Sequence, residues 1–208
     1  MTKELLASWK NDLVGQGYTV RSINSMLASV NSLLRLLEVY PKDVRLNLIL
    51  QTICGTGIRV SELRFFTVEA IRTGRITVDC NNKIRTILLP GDLRKMLLRY
   101  AKEQGRCSGA VFLNGKGRSL DRSTIWRWMK QLCSRAGLHP SKVFPHNLRK
   151  LFARTFYGIE KDIAKLADIL GHSSIDTTRI YIMTTGREHR RQIERLGLVV
   201  PEKYKTAT

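Results

Sequence analysis

The sequence predicts a mostly α-helical protein with one small antiparallel β-sheet. Three observations lead there. Apolar side chains recur every three to four residues through most of the chain. One stretch, Arg75 to Asp79 and Lys83 to Leu89, instead alternates and is rich in β-branched residues, the pattern of a hairpin. Glycine and proline punctuate these runs at short intervals, with no long linker between them.

Taken in order, Leu5, Leu6, Trp9 and Leu13 lie at helical spacing until Gly15 and Gly17 stop the run. Thr19 can cap a second helix that carries Ile23, Met26, Leu27, Val30, Leu34 and Leu37 on one face, and Pro41 ends it. Two helices cannot bury a core alone, so this arm needs a further surface. A third apolar helix runs from Val44 to Cys54, then the glycine turn GTG, then a helix over RVSELRFF. The hairpin follows, with Cys80, Asn81 and Asn82 at its turn. Asp92 to Gln104 is helical, with Leu93, Met96, Leu97 and Tyr100 inward. AVFLN is extended and turns at Gly115 and Gly117. Asp121 or Ser123 caps a helix bearing Ile125, Trp128, Met129, Leu132 and Cys133. Helices over Asn147 to Tyr157, Lys161 to Leu170 and Ile175 to about Ile182 come next. Gly186 breaks the chain before a basic amphipathic helix, Arg187 to Leu196.

Charge narrows the function. Thirty-six Lys and Arg stand against seventeen Asp and Glu, a formal balance of +19. Such a field attracts polyanions, nucleic acid foremost; a ribosome-associated protein and a merely basic enzyme share that composition. The basic residues spread along the whole chain, which disfavours a membrane-surface role. No apolar run reaches the ~20 residues that span a bilayer, and MTKELLASWKND is not a signal peptide, so a cytosolic location is expected. Cys54, Cys80, Cys107 and Cys133 lack the paired spacing of zinc ligands, so we expect buried free thiols and no metal site.

Six scattered residues have chemical potential, and each also has an ordinary reading. Arg59 follows the glycine turn and could be a helix-surface arginine. Lys83 opens the second strand and could be a solvated strand end. His146 could cap its helix, yet its three-residue spacing from Arg149 puts both on one face, able to converge on one anion. His172 precedes Ser173 and Asp176, which have the spacing of a helix-capping pair, a natural phosphate location. Tyr181 could be a core aromatic.

As a set, the segments GTGIRVSEL, PHNLRKLFA and LGHSSIDTTRIYI, with nine residues from His172 to Tyr181, resemble the three conserved boxes of tyrosine recombinases of the phage-integrase kind, Xer-like in the catalytic domain. The resemblance runs from about Val44 to Leu198. It implies the fold of DNA breaking-rejoining enzymes and a catalytic set of Arg59, Lys83, His146, Arg149, His172 and Tyr181. Arg59 and Arg149 would grip the non-bridging oxygens of a scissile phosphate, since paired guanidinium forks suit a phosphorane-like transition state. The histidines would bind the same phosphate or handle the nucleophile's proton, and Tyr181 would attack phosphorus. Lys83 would protonate the departing 5′-oxygen, although the turn DCNNK lacks the glycines common in the family and Arg85 is close by. No cofactor, metal or ATP would be needed.

Around that set, Glu62 would orient Arg59 or simply face solvent. Arg122, Arg127 and Lys130 would contact DNA or form a solvated basic face. Residues 1–40 resemble a shortened, two-helix remnant of a core-binding segment, and 41–208 the catalytic domain with its C-terminal helix. That helix either docks on a neighbouring copy, giving dimers or tetramers on double-stranded DNA, or folds back on its own domain. The resemblance implies a bacterial, nucleoid-associated enzyme of mobile-element integration or recombination. A type IB topoisomerase-like nicking enzyme and a DNA-binding recombination regulator are the alternatives.

Overall fold

The structure, a computed structural model, describes residues 44–80, 83–135 and 145–182, together with Asn11, Val14, Gly15 and Asn24. The two-helix arm before Pro41, the Asn81-Asn82 turn, the helix from Arg187 and the side chains of Cys80, Lys83, Leu132 and Cys133 lie outside the described residues. The described part is mostly helical with one two-stranded antiparallel sheet.

Helix α1 (Val44–Thr56) buries Leu46, Ile49, Leu50 and Ile53. It ends at Gly57, whose φ of 64° is left-handed, and a Cβ there would fall on the Phe152 ring. The helix expected over RVSELRFF is a short 3₁₀ helix, Val60–Phe65. The reason is tertiary. Phe66 is fully buried and its carbonyl accepts the Val111 N–H (2.9 Å), while Thr67 bridges Ala110. The backbone therefore leaves the helix to make strand-like bonds. Thr67 then caps a short helix that the sequence reading passed over, α2 (Val68–Thr73), by accepting the Ala70 N–H at 3.2 Å.

Strands β1 (Arg75–Cys80) and β2 (Lys83–Leu88) pair from Arg75↔Leu88 to Cys80↔Lys83, so Cys80 belongs to the ladder rather than the turn. Ile76, Val78 and Ile87 face the core, and Ile84 and Leu88 face out. Helix α3 (Gly91–Glu103) buries Leu93, Leu97 and Tyr100. Asp121, rather than Ser123, caps α4 (Arg122–Arg135), accepting the Thr124 N–H at 2.6 Å and the Ser123 hydroxyl at 2.7 Å. The last helices are α5 (Pro145–Glu160), α6 (Ile163–Leu170), capped by Asp162, and α7 (Ile175–Ile182).

Two apolar clusters form among the described residues. The larger joins α1, α2, α3 and the hairpin; the smaller gathers Ala153, Leu166, Leu170 and Tyr181, with Phe152 and Phe156 against it. Helix α5 touches both, through Leu148 in the first and Ala153 in the second. Cys107 is exposed, which corrects the expectation of buried thiols, whereas burial pushes the Cys54 thiol up to about 12. Among the described residues no helix is long and apolar enough to cross a membrane.

Gly57→Ala should destabilise the fold by about 1–3 kcal/mol in urea unfolding, because it adds a left-handed alanine and displaces Phe152. An unchanged midpoint would show that this turn tolerates a side chain.

Candidate active site

The seam between the two clusters opens as a cleft of about 690 Å³, lined by Arg59, Arg122, Trp126, His146, Arg149 and Tyr181 among others. Sequence positions 59 to 181 thus converge on one hollow. His172 sits behind that wall, its ring stacked on Tyr181 with centroids 5.1 Å apart and planes 20° apart. His146 flanks the same phenol ring at 5.2 Å, tilted by 53°. Helix α7 brings Tyr181 here and keeps it 7% exposed; Arg154 on α5 fixes the backbone by donating to the Tyr181 carbonyl at 2.9 Å.

The cationic groups are held from behind. Glu62 is fully buried, and its carboxylate accepts the Arg59 N–H (2.7 Å), the Arg59 guanidinium (3.2 Å) and the Arg85 guanidinium (2.6 Å). Burial alone would raise the Glu62 pKa; the Arg85 and Arg59 bonds outweigh it and hold the carboxyl below its usual range. Arg59 also donates to the Gly171 carbonyl at 3.2 Å, and Arg85 to the Ile169 carbonyl. Arg149 is 2% exposed; it donates to the Gly57 carbonyl, to the Leu170 carbonyl at 2.6 Å and to His172 Nε2 at 3.0 Å. The acceptors at Ile169, Leu170 and Gly171 form the carbonyl end of α6, where the helix dipole favours cations. Gly171 has a left-handed φ of 64°, which favours glycine, and a Cβ there would come 2.6 Å from Arg85 Cδ and displace that side chain.

Protonation follows from these contacts. Burial, then the like charge of Arg59, pulls Arg149 down to about 10, still cationic at neutral pH. Burial and the adjacent Arg149, Arg59 and Arg85 drop His172 to about 4, so its imidazole is neutral. His146 is lowered by burial and then by Lys150, Arg149 and Arg122. The result is a cleft rich in guanidinium charge with neutral imidazoles beside a phenol, which suits an anionic ester.

The structure therefore brings together Arg59, His146, Arg149, His172 and Tyr181, with Glu62 against Arg59. Lys83 begins β2 on the same strand face as Arg85 by the alternation of the strand; its side chain lies outside the described residues. On α4, Arg122 lines the cleft, Lys130 Nζ lies 5.2 Å over the Trp126 ring, and Arg127 is exposed away from the lining. At the start of α7 the hydroxyl that accepts the Asp176 N–H is Ser174's (3.1 Å), not Ser173's, and the Asp176 carboxylate pairs with Arg179.

Two residues escaped the sequence reading. Arg85 was noticed only as a neighbour of Lys83; its inward place two residues along the same strand face was the available signal. Trp126, 47% exposed on the cleft wall, lies four residues from both Arg122 and Lys130, so that spacing already marked a stripe.

Comparison with known proteins gives a consistent relationship. The model of the phage integrase family matches residues 25–187. The tyrosine recombinase XerA of Pyrococcus furiosus is 34% identical over 173 residues, covering 79% of this chain and 59% of the relative. The chain spans about half the length of the curated relatives it matches. A crystal structure of XerA recombinase superposes with a TM-score of 0.67 at 27% identity, covering 82% of this chain and 63% of that one. The XerH site-specific recombinase bound to a palindromic difH substrate in a post-cleavage complex gives 0.60 at 25% identity, covering 81% and 51%.

Glu62→Gln should cost about 3 kcal/mol in chemical denaturation, since it leaves Arg59 and Arg85 without their carboxylate; a loss below ~1 kcal/mol would show that the helix carbonyls suffice. Acid should also destabilise the protein in a window set by His172. Its folded pKa of about 4 lies below the ordinary 6.5, so the unfolded chain takes up the proton first and stability falls as pH drops from about 6.5 toward 4. His172→Gln should lose less stability than the parent in melts across that window. An identical slope would place His172 in an ordinary solvated setting.

Proposed function

The chain belongs to the phage integrase family, and from that premise we propose that it is a site-specific DNA recombinase that cuts and rejoins strands through a covalent bond to Tyr181. The observation that carries this reading is the convergence of Tyr181, His146, Arg59 and Arg149 on one cleft. A balance of +19 supports double-stranded DNA as the partner, as does the substrate-bound XerH relative.

In this mechanism the scissile phosphate enters in front of Arg59, whose side chain is 43% exposed, while buried Arg149 works from the cleft floor. Together they bind the non-bridging oxygens as negative charge spreads over them. The Tyr181 oxygen attacks phosphorus and the bond to the 5′-oxygen breaks, leaving a 3′-phosphotyrosyl link and a 5′-hydroxyl. His146 is the better acceptor for the phenol proton, because it lines the cleft while His172 Nε2 already accepts from Arg149. Lys83 supplies a proton to the 5′-oxygen. We assign that role to Lys83 rather than Arg85, whose guanidinium is held by Glu62 and Ile169. A 5′-hydroxyl attacking the phosphotyrosine reverses every step. The ester energy stays in the protein–DNA bond, so ATP and metal are dispensable.

The stripe Arg122–Trp126–Lys130 would follow the DNA flanking the cut, with Arg127 contacting the backbone further out. Residues 1–40 would add affinity to the catalytic part, 41–208. The segment from Arg187, expected from sequence to be a basic amphipathic helix, is our assignment for contact between copies on DNA.

A suicide duplex nicked beside the cleavage site should trap a covalent adduct in EDTA. Tyr181→Phe should abolish the adduct while DNA affinity stays within a few-fold; an adduct in that variant would move the nucleophile elsewhere. Lys83→Ala should cleave poorly but recover when the bridging 5′-oxygen is replaced by sulfur, which leaves without a proton; failure to recover would remove Lys83 as the acid. Binding should weaken about 10³–10⁵-fold between 50 and 200 mM salt if ~6–10 phosphates are contacted, and a flat profile would contradict an electrostatic grip.

A further inference from the structure

Thr178 stands out among the polar residues because it is fully buried yet unaccounted for by the steps above. Its Oγ1 lies 2.8 Å from His172 Nδ1. The other ring nitrogen, Nε2, lies 3.0 Å from Arg149 Nη2. A guanidinium has donors only, so Nε2 must offer its lone pair, the ring proton must sit on Nδ1, and the Thr178 oxygen must accept it. The depressed pKa of His172 agrees with a ring that carries one proton.

We propose that Thr178 is a positioning residue of this site: it fixes the His172 tautomer whose Nε2 orients Arg149, and it does so from the helix that carries Tyr181. Thr178 and Tyr181 are three residues apart on α7, one facing the side of His172 and the other stacked on its ring. Seating α7 therefore places the nucleophile and sets the guanidinium in one movement. If α7 withdraws, Nδ1 loses its acceptor and the alternative tautomer, with a proton on Nε2, would confront Arg149 donor to donor. The ring would then have to turn away, taking with it the contact that aims Arg149. Helix α7 thus links two parts of the reaction that the chain supplies from distant segments, Arg149 on α5 and Tyr181 on α7.

The tautomer part of this inference stands by itself; its effect on rate rests on the recombinase reading, and the experiment separates the two. Long-range nitrogen–proton NMR of the whole protein, with ring-nitrogen labelling, should show His172 as the Nδ1–H tautomer. Thr178→Val keeps the volume but removes the acceptor, and should yield a mixed or reversed tautomer, whereas Thr178→Ser should restore the parent pattern. In single-turnover cleavage of the suicide duplex, Thr178→Val should fall about 10–100-fold with DNA affinity within three-fold, and Thr178→Ser should stay within about three-fold of the parent. A purely structural threonine would lower the melting temperature of both variants without moving the tautomer, and that result overturns the proposal. So does a Val variant that keeps the Nδ1–H form or cleaves at the parental rate. Absence of any adduct from the parent, with the tautomer shifts present, would sink the recombinase reading and leave the positioning contact intact.

Discussion

The buried carboxylate of Glu62 makes the cationic cleft possible. Guanidiniums of Arg59 and Arg85 meet on it, and Arg149 stands close enough to Arg59 for their like charges to be felt. Without an internal anion these groups would repel one another and turn outward. With it, and with the carbonyl ends of α1 and α6 as further acceptors, each guanidinium is held in one orientation before any substrate arrives. Charge that is already aimed needs little reorganisation when an oxyanion develops, the condition under which electrostatic stabilisation is largest.

The fold follows from that need. Gly57 and Gly171 turn the chain where bulkier residues would strike Phe152 or Arg85, and both offer their carbonyls to the arginines. The hairpin reaches the site through Arg85, which ties β2 to α6, so the strand that begins with Lys83 is anchored to the same network. Helix α7 lies on α5 and α6, and its Tyr181 ring completes the smaller apolar cluster. Tyr181, the proposed nucleophile, is therefore also a packing residue, set between a tilted His146 ring and a stacked His172 ring.

Most helices and the hairpin were readable because their faces have a clear period: Leu93, Leu97 and Tyr100 on α3 and Ile76 and Val78 on β1 are buried as the pattern requires. The residues that meet at the cleft, Arg59, His146, Arg149 and Tyr181, lie in three local segments whose order resembles a known family. Long-range bonds were not. Periodicity in RVSELRFF could not reveal that Phe66 and Thr67 leave the helix to bond with Val111 and Ala110. Strand alternation turns Arg85 inward, but its bonds to Glu62 and to the Ile169 carbonyl are visible only once α6 lies beside it. Helical spacing puts Trp126 in line with Arg122 and Lys130, but its place on the cleft wall depends on where the cleft opens. Thr178 was invisible for the same reason: a buried threonine and a surface threonine look alike until the imidazole arrives.

The central claim is that these side chains surround one phosphodiester, and it is tested most directly by a crystal structure with cleaved half-site DNA and orthovanadate. The account predicts a five-coordinate vanadium with Tyr181 and the 5′-oxygen at opposite apices, equatorial oxygens bound by Arg59 and Arg149, and Glu62 still bridging Arg59 and Arg85. Vanadate bound elsewhere, or seated in the cleft with Tyr181 away from the apex and Arg149 turned from its oxygens, would contradict it.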